Sequence, residues 1–65
     1  MTQLKLTRRE QEVLRLIFKE MTTMQIAEEL GIKVSTVETH RRNLFRKAGV
    51  RSSIGLVKEA LRQGF

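Results

Sequence analysis

A single glycine, Gly31, lies between two short runs of helical periodicity in the segment TMQIAEELGIKVSTVETHRR, Thr23 to Arg42. This arrangement constrains the fold of the chain more than any other feature. Ile26, Ala27 and Leu30 recur at the spacing of one helical face. Gly31 follows where a left-handed residue is needed to stop a helix, a conformation that only glycine takes without a Cβ clash. Beyond it, Ile32 offers an apolar plug for the corner, and Ser35 with Glu38 reads as an S-x-x-E capping box that opens a second helix. Val37 faces back toward Ala27, whose small side chain lets two helix backbones approach and cross steeply. The segment is therefore predicted to be a helix-turn-helix, with a scaffold helix over about 23–30 and a recognition helix over about 36–48.

The flanks supply two more helices. Thr7 and Glu10 form a T-x-x-E capping box, and Val13, Leu14, Ile17 and Met21 continue a helical stripe, so a first helix is predicted from about Arg8 to Glu20. Phe18, at the edge of that stripe, closes one side of the core. Either Thr22 or Thr23 caps the scaffold helix, and the recognition helix stops at Gly49. Either Ser52 or Ser53 caps a fourth helix whose apolar side is Leu56, Val57, Ala60 and Leu61 and which ends at Gly64. Gly55 weakens its first turn by about 1 kcal/mol relative to alanine. Met1 to Lys5 reads as a frayed lead-in. The predicted class is all-α: one four-helix, tetrahelical domain over residues 1–65.

Composition narrows the setting. A chain of 65 residues buries only roughly 60% of its unfolded surface, which suits several short, well-capped helices. It has no cysteine and no proline, so neither disulfides nor thiolate zinc ligands hold it together. Its longest apolar runs, such as Leu16-Ile17-Phe18, fall far short of the ~20 residues of a bilayer span, and no secretory leader pattern is read. The formal charge is +6, and its distribution is asymmetric. Residues 1–30 balance five basic against five acidic groups, whereas residues 31–65 hold eight basic groups against Glu38 and Glu59. Such asymmetry points to a polyanionic partner, with a solvated basic face as the bland alternative.

Stepping 100° per residue divides the recognition helix into two faces. Val37, Leu44 and Ala48 form the side to be buried, with Phe45 and the stem of Arg41 at its border. Glu38, Thr39, Arg42, Asn43 and Arg46 lie opposite, and together with Ser35 and Thr36 they make a face of hydrogen-bonding and cationic groups. A helix of this kind fits the DNA major groove, and a helix-turn-helix reads bases with the N-terminal part of its second helix. The candidate base readers are thus Glu38, Thr39 and Arg42. Arg42 suits the O6 and N7 of guanine, and Thr39 a thymine methyl or a base edge. Glu38 either accepts from a cytosine amino group or serves only its capping box. Thr22, Thr23, Ser35 and Thr36 stand at helix starts and are candidate phosphate contacts or plain caps. Arg41, Arg46 and Lys47 are phosphate contacts or solvated charges. His40 falls between the faces, as a partly buried residue donating a ring N–H to backbone or phosphate. No cysteine, second histidine or placed carboxylate completes a metal site around it, and no nucleophile pairs with it. No cofactor is expected.

Laid out in order, these residues resemble the DNA-binding domain of LuxR-type transcription regulators, the family that includes NarL- and FixJ-like response regulators. Leu6-Thr7-x-Arg9-Glu10-x-Glu12-Val13-Leu14 is similar to its first helix, Ile26-Ala27 with Leu30 and Ile32 to its scaffold helix, and Thr36-Val37-x-x-His40-x-x-Asn43-Leu44, then Lys47, Gly49 and Val50, to its recognition helix. The resemblance implies promoter binding through helix three and pairing with a second copy through helix four, where Leu56, Val57, Ala60 and Leu61 span about two apolar positions more than a single buried stripe needs, as either a dimer interface or a wider core. It implies base contacts at Glu38, Thr39 and Arg42, and backbone contacts near Thr23, Ser35, Thr36, His40, Arg46 and Lys47. A bacterial cytoplasmic location, on the nucleoid when bound, goes with it, as does a receiver or sensing domain ahead of this module. The chain is then either a small stand-alone regulator or the C-terminal output domain of a longer one. Four positions depart from the family pattern. Glu20 stands where the family has glycine, Ser53 where it has arginine, Ala48 where it has a larger apolar residue, and Glu38 where lysine is common.

A different class of reading is a helix-turn-helix-shaped module that docks on RNA polymerase or on a sigma or anti-sigma partner. The His40-x-x-Asn43 pattern and the capped fourth helix fit the regulator family better, and polymerase contact stands as a secondary role. Enzymatic chemistry is not expected: there is no phosphate-cradling glycine loop, and the adjacent Glu28 and Glu29 point about 100° apart on their helix.

Overall fold

The computed structural model describes residues 4–65, with four helices in order: α1 (Arg8–Phe18), α2 (Thr23–Leu30), α3 (Val34–Ala48) and α4 (Ser53–Arg62). Of the lead-in expected over Met1 to Lys5, residues 1–3 lie outside the described residues. Lys5 is tied down, its carbonyl accepting from Lys47 Nζ at 3.1 Å.

Three of the four helices start on a side-chain cap, and the fourth lacks the one expected. The box at α1 is complete: Glu10 N–H donates to Thr7 Oγ1 at 3.1 Å and Thr7 N–H to Glu10 Oε1 at 3.0 Å. At α2 the cap is Thr22, not Thr23, and Gln25 returns the bond to make a second reciprocal box. Ser52 caps α4 by accepting from Gly55 N–H at 3.1 Å. The S-x-x-E box read at Ser35 does not exist. The recognition helix begins at Val34, two residues before the expected start, and its N-cap is Lys33, which supplies no side-chain bond. Ser35 lies inside the helix, and its carbonyl accepts from Thr39 Oγ1 at 3.1 Å.

The helix ends share one device. The Ile32 N–H reaches back to the Ala27 carbonyl at 3.0 Å, Val50 to Phe45 at 3.0 Å, Phe65 to Ala60 at 2.9 Å and Met21 to Leu16 at 3.2 Å. Each is the long bond of a Schellman closure, which requires a left-handed residue just before its donor. Three closures place Gly31, Gly49 and Gly64 there, and the fourth places Glu20, at φ 61°. Glutamate thus fills a glycine position, and α1 ends at Phe18 instead of running on to Glu20.

The core draws on all four helices: Val13, Leu14 and Ile17 from α1, Ile26 and Ala27 from α2, Val37 and Leu44 from α3, and Leu56 and Ala60 from α4. Helix α3 packs against the other three, so it is the structural centre of the domain. Phe18, Phe45 and Ala48 pack half-buried at its margin, and Phe65 lays its ring 5.8 Å from that of Phe18. At Gly55 an added Cβ would come within 3.3 Å of Ser52 Oγ and of Val50 Cβ, so the glycine is matched to a close approach of the cap. Among the described residues no helix is long and apolar enough to cross a membrane.

Candidate nucleic-acid interface

Burying Val37 and Leu44 fixes the rotation of α3 about its own axis, and with it the residues that face outward. Ser35, Glu38, Thr39, Arg42 and Arg46 are all exposed; steps of three or four residues lead from Ser35 to both Glu38 and Thr39, from each of these to Arg42 and on to Arg46, a continuous stripe. Asn43, Thr36 and His40 are half-buried along its flanks. Thr39 spends its hydroxyl proton on the Ser35 carbonyl, so what it presents outward is a methyl group and an oxygen lone pair. Thr22 is exposed and Thr23 half-buried at the start of α2.

Two of the expected phosphate contacts have partners inside the domain. Arg41 donates from Nη2 to Ser53 Oγ at 2.9 Å and lays its guanidinium 5.4 Å from the centre of the Phe45 ring, bracing α3 against α4. Ser53 thereby accepts an arginine instead of supplying one. Lys47 donates to Glu10 Oε1 at 2.6 Å and to the Lys5 carbonyl, bracing the C-terminal end of α3 against the start of α1. Burial of Glu10, which is 4% exposed, pushes its carboxyl up. The Lys47 hydrogen bond, the Thr7 N–H and the nearby charges of Lys47 and His40 together outweigh that and hold it below the usual glutamate value.

The four residues expected at a dimer interface divide between two faces. Leu56 and Ala60 are wholly buried and belong to the core, so they cannot meet a second copy. Val57 is half-buried and Leu61 is 58% exposed, and the residue that completes their stripe is Ile54, at 71%. Neighbouring residues on a helix point about 100° apart and cannot both face one core, so in the pairs Leu56-Val57 and Ala60-Leu61 the first residue is buried and the second is turned outward. Ile54 and Val57 also line an open groove of about 730 Å³ that continues over Phe18 and Met21 to the Glu20 turn. Among the described residues no group of three His, Cys, Asp or Glu side chains could hold a metal ion.

Comparison with known proteins agrees with this architecture. The family described as "Bacterial regulatory proteins, luxR family" matches residues 4–60. The chain is 46% identical over 59 residues to the transcriptional regulatory protein MctR of Rhizobium johnstonii, covering 91% of this chain and 28% of that protein. It is 49% identical over 59 residues to the uncharacterized response regulatory protein YgeK of Escherichia coli, again over 91% of this chain and 40% of that protein. With the spore germination protein GerE of Bacillus subtilis the identity is 44% over 59 residues, spanning 80% of that protein. The chain thus spans less than half the length of the first two. The helix order, the outward stripe on α3 and the match over residues 4–60 together mean that this chain belongs to the luxR family of bacterial regulatory proteins, as a DNA-binding domain of transcription regulation.

Proposed function

We propose that this domain binds double-stranded promoter DNA sequence-specifically by seating α3 in the major groove, and that it does so as a homodimer, one copy per half-site. The observation that carries the reading is the exposed stripe Ser35, Glu38, Thr39, Arg42 and Arg46, turned outward by the burial of Val37 and Leu44. Glu38, Thr39 and Arg42 are the base readers. Thr22, Thr23, Ser35, Thr36, His40 and Arg46 approach phosphate, while Arg41 and Lys47 hold α3 in place through Ser53 and Glu10. Pairing runs along Ile54, Val57 and Leu61, an apolar edge far smaller than the ~1,200–2,000 Å² of a stable interface, so the dimer assembles on DNA. The domain serves as the output module of a bacterial cytoplasmic regulator.

Selection of bound duplexes from a random pool tests this. It should return two half-sites about 10 bp apart, centre to centre. Arg42→Ala should then cost about 1–3 kcal/mol at one base position. An equal loss on selected and scrambled DNA would remove Arg42 from the readers, and a single unpaired site would remove the dimer.

A further inference from the structure

The outward stripe of α3 holds one acid among hydroxyls and cations, and the fold leaves that acid without a local task. Glu38 lies beyond the first turn of a helix that begins at Val34, past the amides a capping residue serves and past the reach of the helix dipole. Among the described residues it has neither a hydrogen bond nor an ion pair. Arg42, one turn on, is not joined to it, the ion pairs being Arg9 with Glu12, Lys47 with Glu10 and Arg62 with Glu59. Arg41 is turned to Ser53 and Phe45.

An exposed carboxylate on a surface that must approach a polyanion is repelled by phosphate unless a donor meets it. In the major groove cytosine offers only its N4 amino donor, adenine offers an N6 amino group beside the N7 acceptor, and guanine and thymine offer acceptors where a carboxylate needs a donor. We infer, on the basis of the duplex-binding reading above, that Glu38 specifies cytosine at one position of each half-site. Adenine is second there, and thymine and guanine are excluded by facing acceptor with acceptor. Arg42 lies four residues further along α3, about 6 Å by helical rise, against roughly 3.4 Å for each base-pair step. The cytosine therefore lies within about two steps of the guanine that Arg42 reads.

The test takes the wild-type domain, Glu38→Ala and Glu38→Lys through the same random-pool selection. Fluorescence anisotropy then measures affinity for the selected site carrying each possible base at that position. Glu38 is exposed, so the variants should keep the wild-type melting temperature. The wild type should prefer cytosine over guanine by about tenfold or more, while Glu38→Ala brings all bases there within about threefold. That variant should still select the guanine read by Arg42, and Glu38→Lys should select guanine in place of cytosine. A wild type that selects a defined site, with Glu38→Ala selecting the same base at every position, overturns the assignment and leaves the duplex-binding reading intact. A wild type that selects no sequence overturns both.

Discussion

Glu20 is held at φ 61°, a conformation that costs an L-residue with a Cβ roughly 1–2 kcal/mol. It persists because the Met21 N–H must turn back to the Leu16 carbonyl for the chain to enter α2. Glu20→Gly should stabilise the domain by about 1 kcal/mol, raising the melting temperature by about 4–8 °C. A calorimetric scan showing no rise would mean that the turn relaxes at no cost. Glu10 is the other residue with a measurable signature. Its folded carboxyl is depressed below the usual glutamate value, so the folded state favours the ionised form. The stability this contributes is complete above the unfolded value of about 4.3 and is lost as pH falls through the lower folded value. Glu10→Gln should cost about 1–2 kcal/mol at neutral pH, since the charge-assisted bond to a partly wetted Lys47 is lost. Urea midpoints followed from pH 7 into acid should converge for wild type and variant. Parallel curves would mean that Glu10 does not set the acid limb.

At the scale of helices, α3 is the one that starts without a side-chain cap. Lys33 supplies no acceptor, and its charge stands at the positive end of the helix dipole. Lys33→Ser should therefore stabilise the domain by about 1 kcal/mol and slow hydrogen exchange at the Ser35 and Thr36 amides, and unchanged exchange would show that the first turn is already held by other contacts. The same helix shows where reading from sequence reaches its limit. Four helices, their order and the buried Val37 and Leu44 were legible, because apolar periodicity and glycine stops are local signals. The start of α3 was not, because Ser35 and Glu38 have the spacing of a capping box wherever they fall along a helix, and Lys33 carries no capping signature. The outward stripe was legible through the same periodicity. The inward commitment of Lys47 was not, because its partner Glu10 lies 37 residues away in sequence. Likewise Arg41 and Ser53, 12 residues apart, meet only once α4 has folded back.

At the scale of the molecule, the ion pairs of Lys47 with Glu10 and of Arg62 with Glu59 change how the charge of the second half is to be counted. Residues 31–65 hold eight basic side chains, and if each neutralised a phosphate, log K would fall against log salt with a slope of about −7 per domain. Lys47 and Arg62 are paired with carboxylates, whereas the partners of Arg41 are neutral, which leaves Lys33, Arg41, Arg42, Arg46, Arg51 and Lys58 to displace counterions. The slope should then be no steeper than about −5.4 per domain, measurable by titrating the selected duplex over a range of potassium chloride. A steeper value would mean that the Lys47 and Arg62 ion pairs open on DNA. With that slope, Lys47 releases no salt on DNA because its charge is already spent on Glu10, and the domain keeps more of its affinity in a concentrated ionic medium than its eight basic side chains suggest.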